Sequence, residues 1–217
     1  MKRIILLLTL LIFTACISKK EPKKEPQPEP KKEVSKKEVS SPLKLNKKQK
    51  IVYDALTLYI EQLKSLDADN IISMTYPKLF LAFSQDTYKN YIYTMANSSY
   101  LEIQSFEANI TEIGEIQPFS EGNFSQVSYK SVIKIHFTHP DLYNTKLSLN
   151  TLYSILARKY EQKNIFVNVE TRIITIRKQE KMLAIKENNH DWKFLGDNPT
   201  YREFYPNFLP SDILEKI

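Results

Sequence analysis

The chain has 217 residues, 42% of them hydrophobic and 12% aromatic, enough for one ordinary core. Its formal charge of +6 is uneven: Lys2 and Arg3 carry +2, twelve lysines against five glutamates give residues 19–50 +7, and residues 51–217 are left at −3, so the basic balance gives no support for nucleic acid as a partner. Three glycines exclude a glycine-rich phosphate loop or dinucleotide fingerprint, and a single cysteine, Cys16, excludes a disulfide, a thiolate nucleophile and thiolate metal ligands in the folded part.

Met1, Lys2 and Arg3 form a short positive segment. Residues 4–15 (IILLLTLLIFTA) are then apolar for about a dozen positions, fewer than the ~17–25 needed to cross a hydrocarbon core. That is the pattern of a signal peptide, residues 1–15. It ends in Phe13-Thr14-Ala15-Cys16, which resembles the lipobox of bacterial lipoproteins, where small residues precede an obligatory cysteine; Phe13 stands where Leu, Val or Ile is usual. The resemblance implies cleavage before Cys16 and lipidation there by a thioether-linked diacylglycerol, usually with an N-linked acyl chain such as palmitate. Two or three long acyl chains at about 0.8 kcal/mol per buried methylene make such an anchor effectively permanent. Ile17, in place of the aspartate that retains lipoproteins in the inner membrane of enteric bacteria, implies the outer membrane under that sorting rule.

Residues 16–46 hold repeated Lys-Lys-Glu units, five prolines and almost nothing apolar. Such a composition cannot bury enough surface to offset chain entropy, and it reads as a disordered tether with a reach of about 30 Å as a coil and about 90 Å if fully extended. The lysines suit either a soluble spacer or attraction to anionic head groups, with the glutamates cancelling part of the attraction.

Residues 47–217 read as a single globular domain. Val52, Ala55, Leu56, Tyr59, Leu63 and Leu66 at helical spacing predict a helix over 47–66. A second helical stretch follows Asp69 and is disturbed at Tyr76-Pro77; a third starts with Ser84 as N-cap. From Tyr100 the period changes towards two, with a parity shift between Ile103 and Phe106 that predicts a bulge. Gly122-Asn123 looks like a hairpin connection, and Val127 to Phe137 alternate apolar and polar along a long strand. Helical spacing returns over 145–162, and strand signals follow at 165–176, 182–186 and 192–195. The aromatic tail with Tyr201, Phe204, Tyr205 and Phe208 is apolar enough to pack back on the domain, to lid an interior, or to dock a partner.

Helices followed by long, bent, mainly antiparallel strands make an α+β order, with N-terminal helices on a curved, cone-like sheet and one inserted helix. From about Lys47 to Gly196, ending in Asp191-Trp192-Lys193-Phe194-Leu195, this order resembles the nuclear transport factor 2-like (SnoaL-like) superfamily, in which the helix at 145–162 would be an insertion. Enzymes of that superfamily commonly use a carboxylate or an Asp-His pair inside the cone. Here no acidic residue falls in an evidently apolar strand setting, so no catalytic residue is assigned. His136, His139 and Asp141 are close in sequence, but residues three apart on a strand face opposite sides, so no metal site is assigned either. No cofactor is expected.

Three functions remain open. The first is a non-catalytic, membrane-anchored envelope lipoprotein whose domain binds a protein, peptide or lipid-like ligand. The second is a small-molecule enzyme of isomerase or hydrolase type using the cone interior, and the third is a structural envelope spacer. A deep pocket with a buried carboxylate, an exposed apolar patch, or a filled interior would discriminate them.

Overall fold

The computed structural model describes residues 43–139, 145–188 and 190–217. The expected signal peptide (1–15), the lipidation site Cys16 and the tether through Pro42 lie outside the described residues.

The domain opens with helix α1 (Lys47–Ser65), entered through a capping box in which Asn46 and Gln49 bond each other's backbone N–H groups. Gln49 also donates to the Ile113 carbonyl at 2.8 Å, fixing the start of α1 to the sheet. Leu66 turns the chain in the left-handed region (φ 53°), and α2 (Ala68–Met74) begins at once with Asp67 as N-cap. A 3₁₀ turn (Pro77–Leu81) leads to α3 (Gln85–Ala96), capped by Ser84.

The chain then forms β1 (Leu101–Ile113), β2 (Gln117–Phe119) and β3 (Gly122–Phe137). Helix α4 (Lys146–Tyr160) is inserted before β4 (Ile165–Asn168), β5 (Ile173–Glu187) and β6 (Lys193–Asp197). A 3₁₀ segment (Pro199–Asn207) and the short α5 (Ser211–Leu214) end the chain. The fold is therefore α+β, with helices on a six-stranded antiparallel sheet ordered β1-β3-β5-β4, β2 beside β3 and β6 beside β5. Among the described residues no helix is long and apolar enough to cross a membrane.

The β1–β3 ladder shifts register between Ile103 and Ser105, where the parity of the apolar residues changes, and again between Ile110 and Glu112. Gly122 begins β3 rather than forming the hairpin connection, which is Ser120-Glu121. Its lack of a side chain is required, because a Cβ there would lie 2.0 Å from the Lys186 carbonyl oxygen.

The two strand signals expected at 165–176 and 182–186 divide differently. The break falls at residues 169–172, with Arg172 in the left-handed region (φ 54°), and β5 runs unbroken from Ile173 to Glu187. The polar residues 177–181 are inside the strand, not between strands.

Three buried clusters follow from the alternation of side chains along the strands. On the inner face, α1 and α2 lay Val52, Leu56, Tyr59 and Ile71 against Ile110, Val127, Met182 and Ala184. Farther along the same face, Leu152, Leu156 and Tyr160 of α4 cover Ile133, Ile135, Phe137, Ile174 and Ile176. On the opposite face, Tyr205, Phe208, Leu209 and Ile213 of the tail cover Phe124, Leu183, Ile185 and Leu195.

Candidate functional site

Between the first two clusters the inner face changes character. Ile174, Ile176, Lys178, Glu180, Met182 and Ala184 keep one phase along β5, so the two charged side chains stand on the same face as the apolar ones. Their rows across the sheet are Ala108, Ser131, Lys178 and Ile110, Tyr129, Glu180. Small residues beside Lys178 leave room for its stem.

Lys178 and Glu180 are 5% and 6% exposed and form an ion pair at 3.1 Å. Ser131 Oγ donates to Glu180 Oε2 at 3.3 Å, and the Tyr129 hydroxyl donates to the same carboxylate. Lys178 Nζ also lies 5.2 Å from the centre of the Tyr160 ring. Burial at this depth is tolerable only because both charges are paired and hydrogen-bonded. The pair sits where the sheet edge is interrupted: β4 pairs with residues 173–176 of β5 and β6 with residues 181–185, leaving 177–180 in strand pairing with β3 alone.

This polar seam forms part of the wall of a cavity of about 460 Å³. One side is the inner face through Phe106, Tyr129, Ile133 and Met182; the other is the helices through Tyr59, Leu63, Ile71, Tyr88, Ile92 and Met95. The end of β6 and the tail add Phe194, Phe204, Tyr205 and Phe208. Phe83 and Phe204, 39% and 40% exposed, meet edge to face with centroids 6.4 Å apart and mark the outer rim.

A second polar group lies across from the seam. Thr75 Oγ1 donates to the Ile71 carbonyl at 2.8 Å and lies 3.5 Å from the Tyr59 hydroxyl, while the Tyr88 hydroxyl bonds with both Thr75 and Tyr59. Tyr59 stacks on Phe194 at 5.0 Å. Burial raises the Tyr59 and Tyr88 phenols above their ordinary value, and burial followed by the charge of Glu180 raises Tyr129. All three remain neutral hydroxyls at physiological pH. Among the cavity-lining residues the charged ones are Lys178 and Glu180, which cancel.

No protein-family model, curated protein or solved structure matches the chain. The arrangement of the site therefore rests on its own geometry. A volume of this size, with predominantly apolar walls and a few converging polar groups, falls within the range of small-molecule pockets in general.

The structure corrects the expectation that no acidic residue has an apolar strand setting. Glu180 has one; Asp197, also buried, on β6, is set instead among polar partners, with the Arg202 guanidinium at 2.9 Å and the Gln126 amide at 2.6 Å. The histidines are elsewhere. His136 Nδ1 is 3.6 Å from Glu102, and the His139 ring packs on Tyr100 at 5.0 Å; Asp141 lies outside the described residues. Among the described residues, no group of three or more His, Cys, Asp or Glu side chains is arranged to hold a metal.

The signal that would have found the seam is phase. Lys178 and Glu180 fall at the same parity as Ile174, Ile176, Met182 and Ala184, and a reading that ends a strand at the first charge discards that parity.

Proposed function

We propose that this protein is a lipid-anchored envelope protein whose domain takes a small, largely apolar ligand into its interior. The single observation that carries the reading is the hollow of about 460 Å³ between the helices and the sheet. A spacer has no use for such a void, since an unfilled apolar cavity costs the contacts its lining would otherwise make. The anchoring part of the proposal rests on residues 1–16, where an apolar stretch too short to span a bilayer ends at the chain's one cysteine. The order of elements resembles that of nuclear transport factor 2-like cones, which is a further support for an interior ligand.

A second reading, an enzyme acting inside the cone, is favoured by one observation, the buried carboxylate of Glu180 in the cavity wall. Its oxygens already accept from Lys178, Ser131 and Tyr129, which is the bonding of a positioned, structural carboxylate more than of a base awaiting a substrate proton. Binding is therefore the better account.

Two measurements test the proposal. The intact mass of the mature protein from its native membrane should begin at Cys16 and carry acyl chains, both lost in Cys16→Ala; a chain retaining Met1 without lipid sinks the anchor. The full chain carrying Cys16→Ser should bind N-phenyl-1-naphthylamine, an uncharged apolar fluorophore, with enhanced emission, and Ile92→Phe in the cavity wall should weaken that binding. Absence of any bound probe removes the interior-ligand reading.

A further inference from the structure

Resting on the interior-ligand reading, the character of the polar seam narrows what the ligand can be. We infer that the cavity selects an uncharged amphiphile, an apolar body ending in a hydroxyl or amide, and rejects fatty-acid-like anions and alkylammonium cations of the same length. The wall has one cation and one anion, Lys178 and Glu180, joined at 3.1 Å and shielded from water, so it has no net charge with which to offset a charged head group. A charged head drawn into such a wall would lose its hydration and gain no uncompensated counter-ion, and it would also compete with a pair that each partner needs.

What the wall does offer is hydrogen bonding. The Thr75 hydroxyl, whose proton goes to the Ile71 carbonyl, lies with Tyr59 and Tyr88 on the helix side, and the Tyr129 hydroxyl, whose proton goes to Glu180, on the sheet side; what they offer a ligand is oxygen lone pairs that accept. A neutral alcohol or amide can donate its O–H or N–H to these oxygens without breaking the ion pair. The aromatic and aliphatic lining, including Phe106, Ile92 and Met95, accommodates the apolar body.

The test is a matched head-group series on the full chain carrying Cys16→Ser. N-phenyl-1-naphthylamine is bound first, and then displaced by 1-dodecanol, dodecanamide, dodecanoate and dodecyltrimethylammonium at pH 7, all below their aggregation concentrations. The alcohol and amide should displace the probe at concentrations at least about tenfold lower than either ion, the factor expected when one head group must be buried without a counter-charge. Equal displacement by all four would overturn the head-group inference while leaving the interior-ligand reading intact. Failure of the fluorophore to bind at all would overturn both.

Two variants reverse the selection. Glu180→Gln leaves the Lys178 charge uncompensated and should raise the relative affinity for dodecanoate. Lys178→Met leaves the Glu180 charge and should favour dodecyltrimethylammonium. If either variant is unfolded by circular dichroism, the wild-type series still decides the question, and if both fold yet keep the wild-type order, the ion pair is not what selects.

Discussion

The inner face of the sheet is covered twice, by different helices and with different results. Under α4 it is filled: Leu152 and Leu156 meet Ile135, Ile174 and Ile176, each no more than 3% exposed. Under α1–α3 the same strands continue with the same parity, but the packing of α1 and α2 on Ile110, Val127 and Ala184 leaves beside it a hollow lined by Tyr88, Ile92 and Met95. The boundary between the two halves is the row of Ser131 and Lys178 and the row of Tyr129 and Glu180. One chain thus buries a closed apolar cluster at one end and accepts a void with buried charges at the other. Stability explains the first and not the second, which is why function is sought in the hollow.

The sharpest way to break this contrast is to remove one buried charge. Glu180→Leu leaves the Lys178 ammonium without its carboxylate and Tyr129 without its acceptor, and should cost about 3–5 kcal/mol, read as a lowered denaturant midpoint. Lys178→Met combined with Glu180→Leu should recover most of that loss or exceed wild-type stability, since apolar residues then fill the seam. A single variant as stable as wild type would mean that water reaches the pair and that the seam is not interior at all.

Overpacking separates the halves directly. Ile176→Phe adds volume to the filled end and should cost about 1–3 kcal/mol, because its neighbours have nowhere to move. Ile92→Phe places its extra volume in the hollow and should stay within about 1 kcal/mol of wild type. Thermal or denaturant unfolding of the two variants side by side gives the answer. Equal costs would show that the hollow closes in solution.

A third separation appears at high pH. Tyr59, Tyr88 and Tyr129 are raised above the ordinary value of 10.0, so each phenol binds its proton more tightly in the folded state than in the unfolded one. Their contribution is fully present below pH 10 and is lost as pH rises towards the folded-state values, at about 1.4 kcal/mol per pH unit for each phenol. Tyr129→Phe should therefore reduce the steepness of alkaline destabilisation between pH 10 and 11 by about that amount. An unchanged slope would place the Tyr129 hydroxyl in contact with water.

The filled half was legible in the sequence and the hollow half was not, for one physical reason. Leu149, Leu152, Leu156 and Tyr160 advertise α4 by spacing, and Ser84 and the parity shift after Ile103 mark a helix start and a bulge through rules that act within a few residues. The expected α+β order, with a curved antiparallel sheet and one inserted helix, follows from such local signals. Lys178 and Glu180 are stabilised by each other and by Ser131 and Tyr129, about fifty positions away, and local polarity alone reads them as a loop. The same holds for Asp197, which depends on Gln126 at 2.6 Å as well as on Arg202. Buried polar residues are visible in a sequence only when their phase is given more weight than their charge.

The smallest expected effect comes from the half-buried counterpart of the buried pair. At the far end of β5, Glu187 accepts from the Tyr76 hydroxyl at 2.8 Å and pairs with Lys78 at 2.8 Å, while Lys78 also bonds Glu121. Partial burial alone would raise the Glu187 carboxyl, but the bonds from Lys78 and Tyr76 and the lysine charge outweigh it and hold the group below its ordinary value of 4.5. A depressed carboxylate contributes stability above 4.5 and loses it as pH falls through the lower folded-state value. Because Lys78 is 30% exposed, solvent screens the pair, and Glu187→Gln should cost less than about 1 kcal/mol at pH 7. That difference should shrink as pH falls below 4.5 and through the lower folded-state value, where the wild-type carboxylate itself loses its charge. The two sites share a lysine on a carboxylate with a tyrosine hydroxyl donating to it, and they differ most in depth. If Glu187→Gln proved as costly as Glu180→Leu, depth would not be what sets the seam apart.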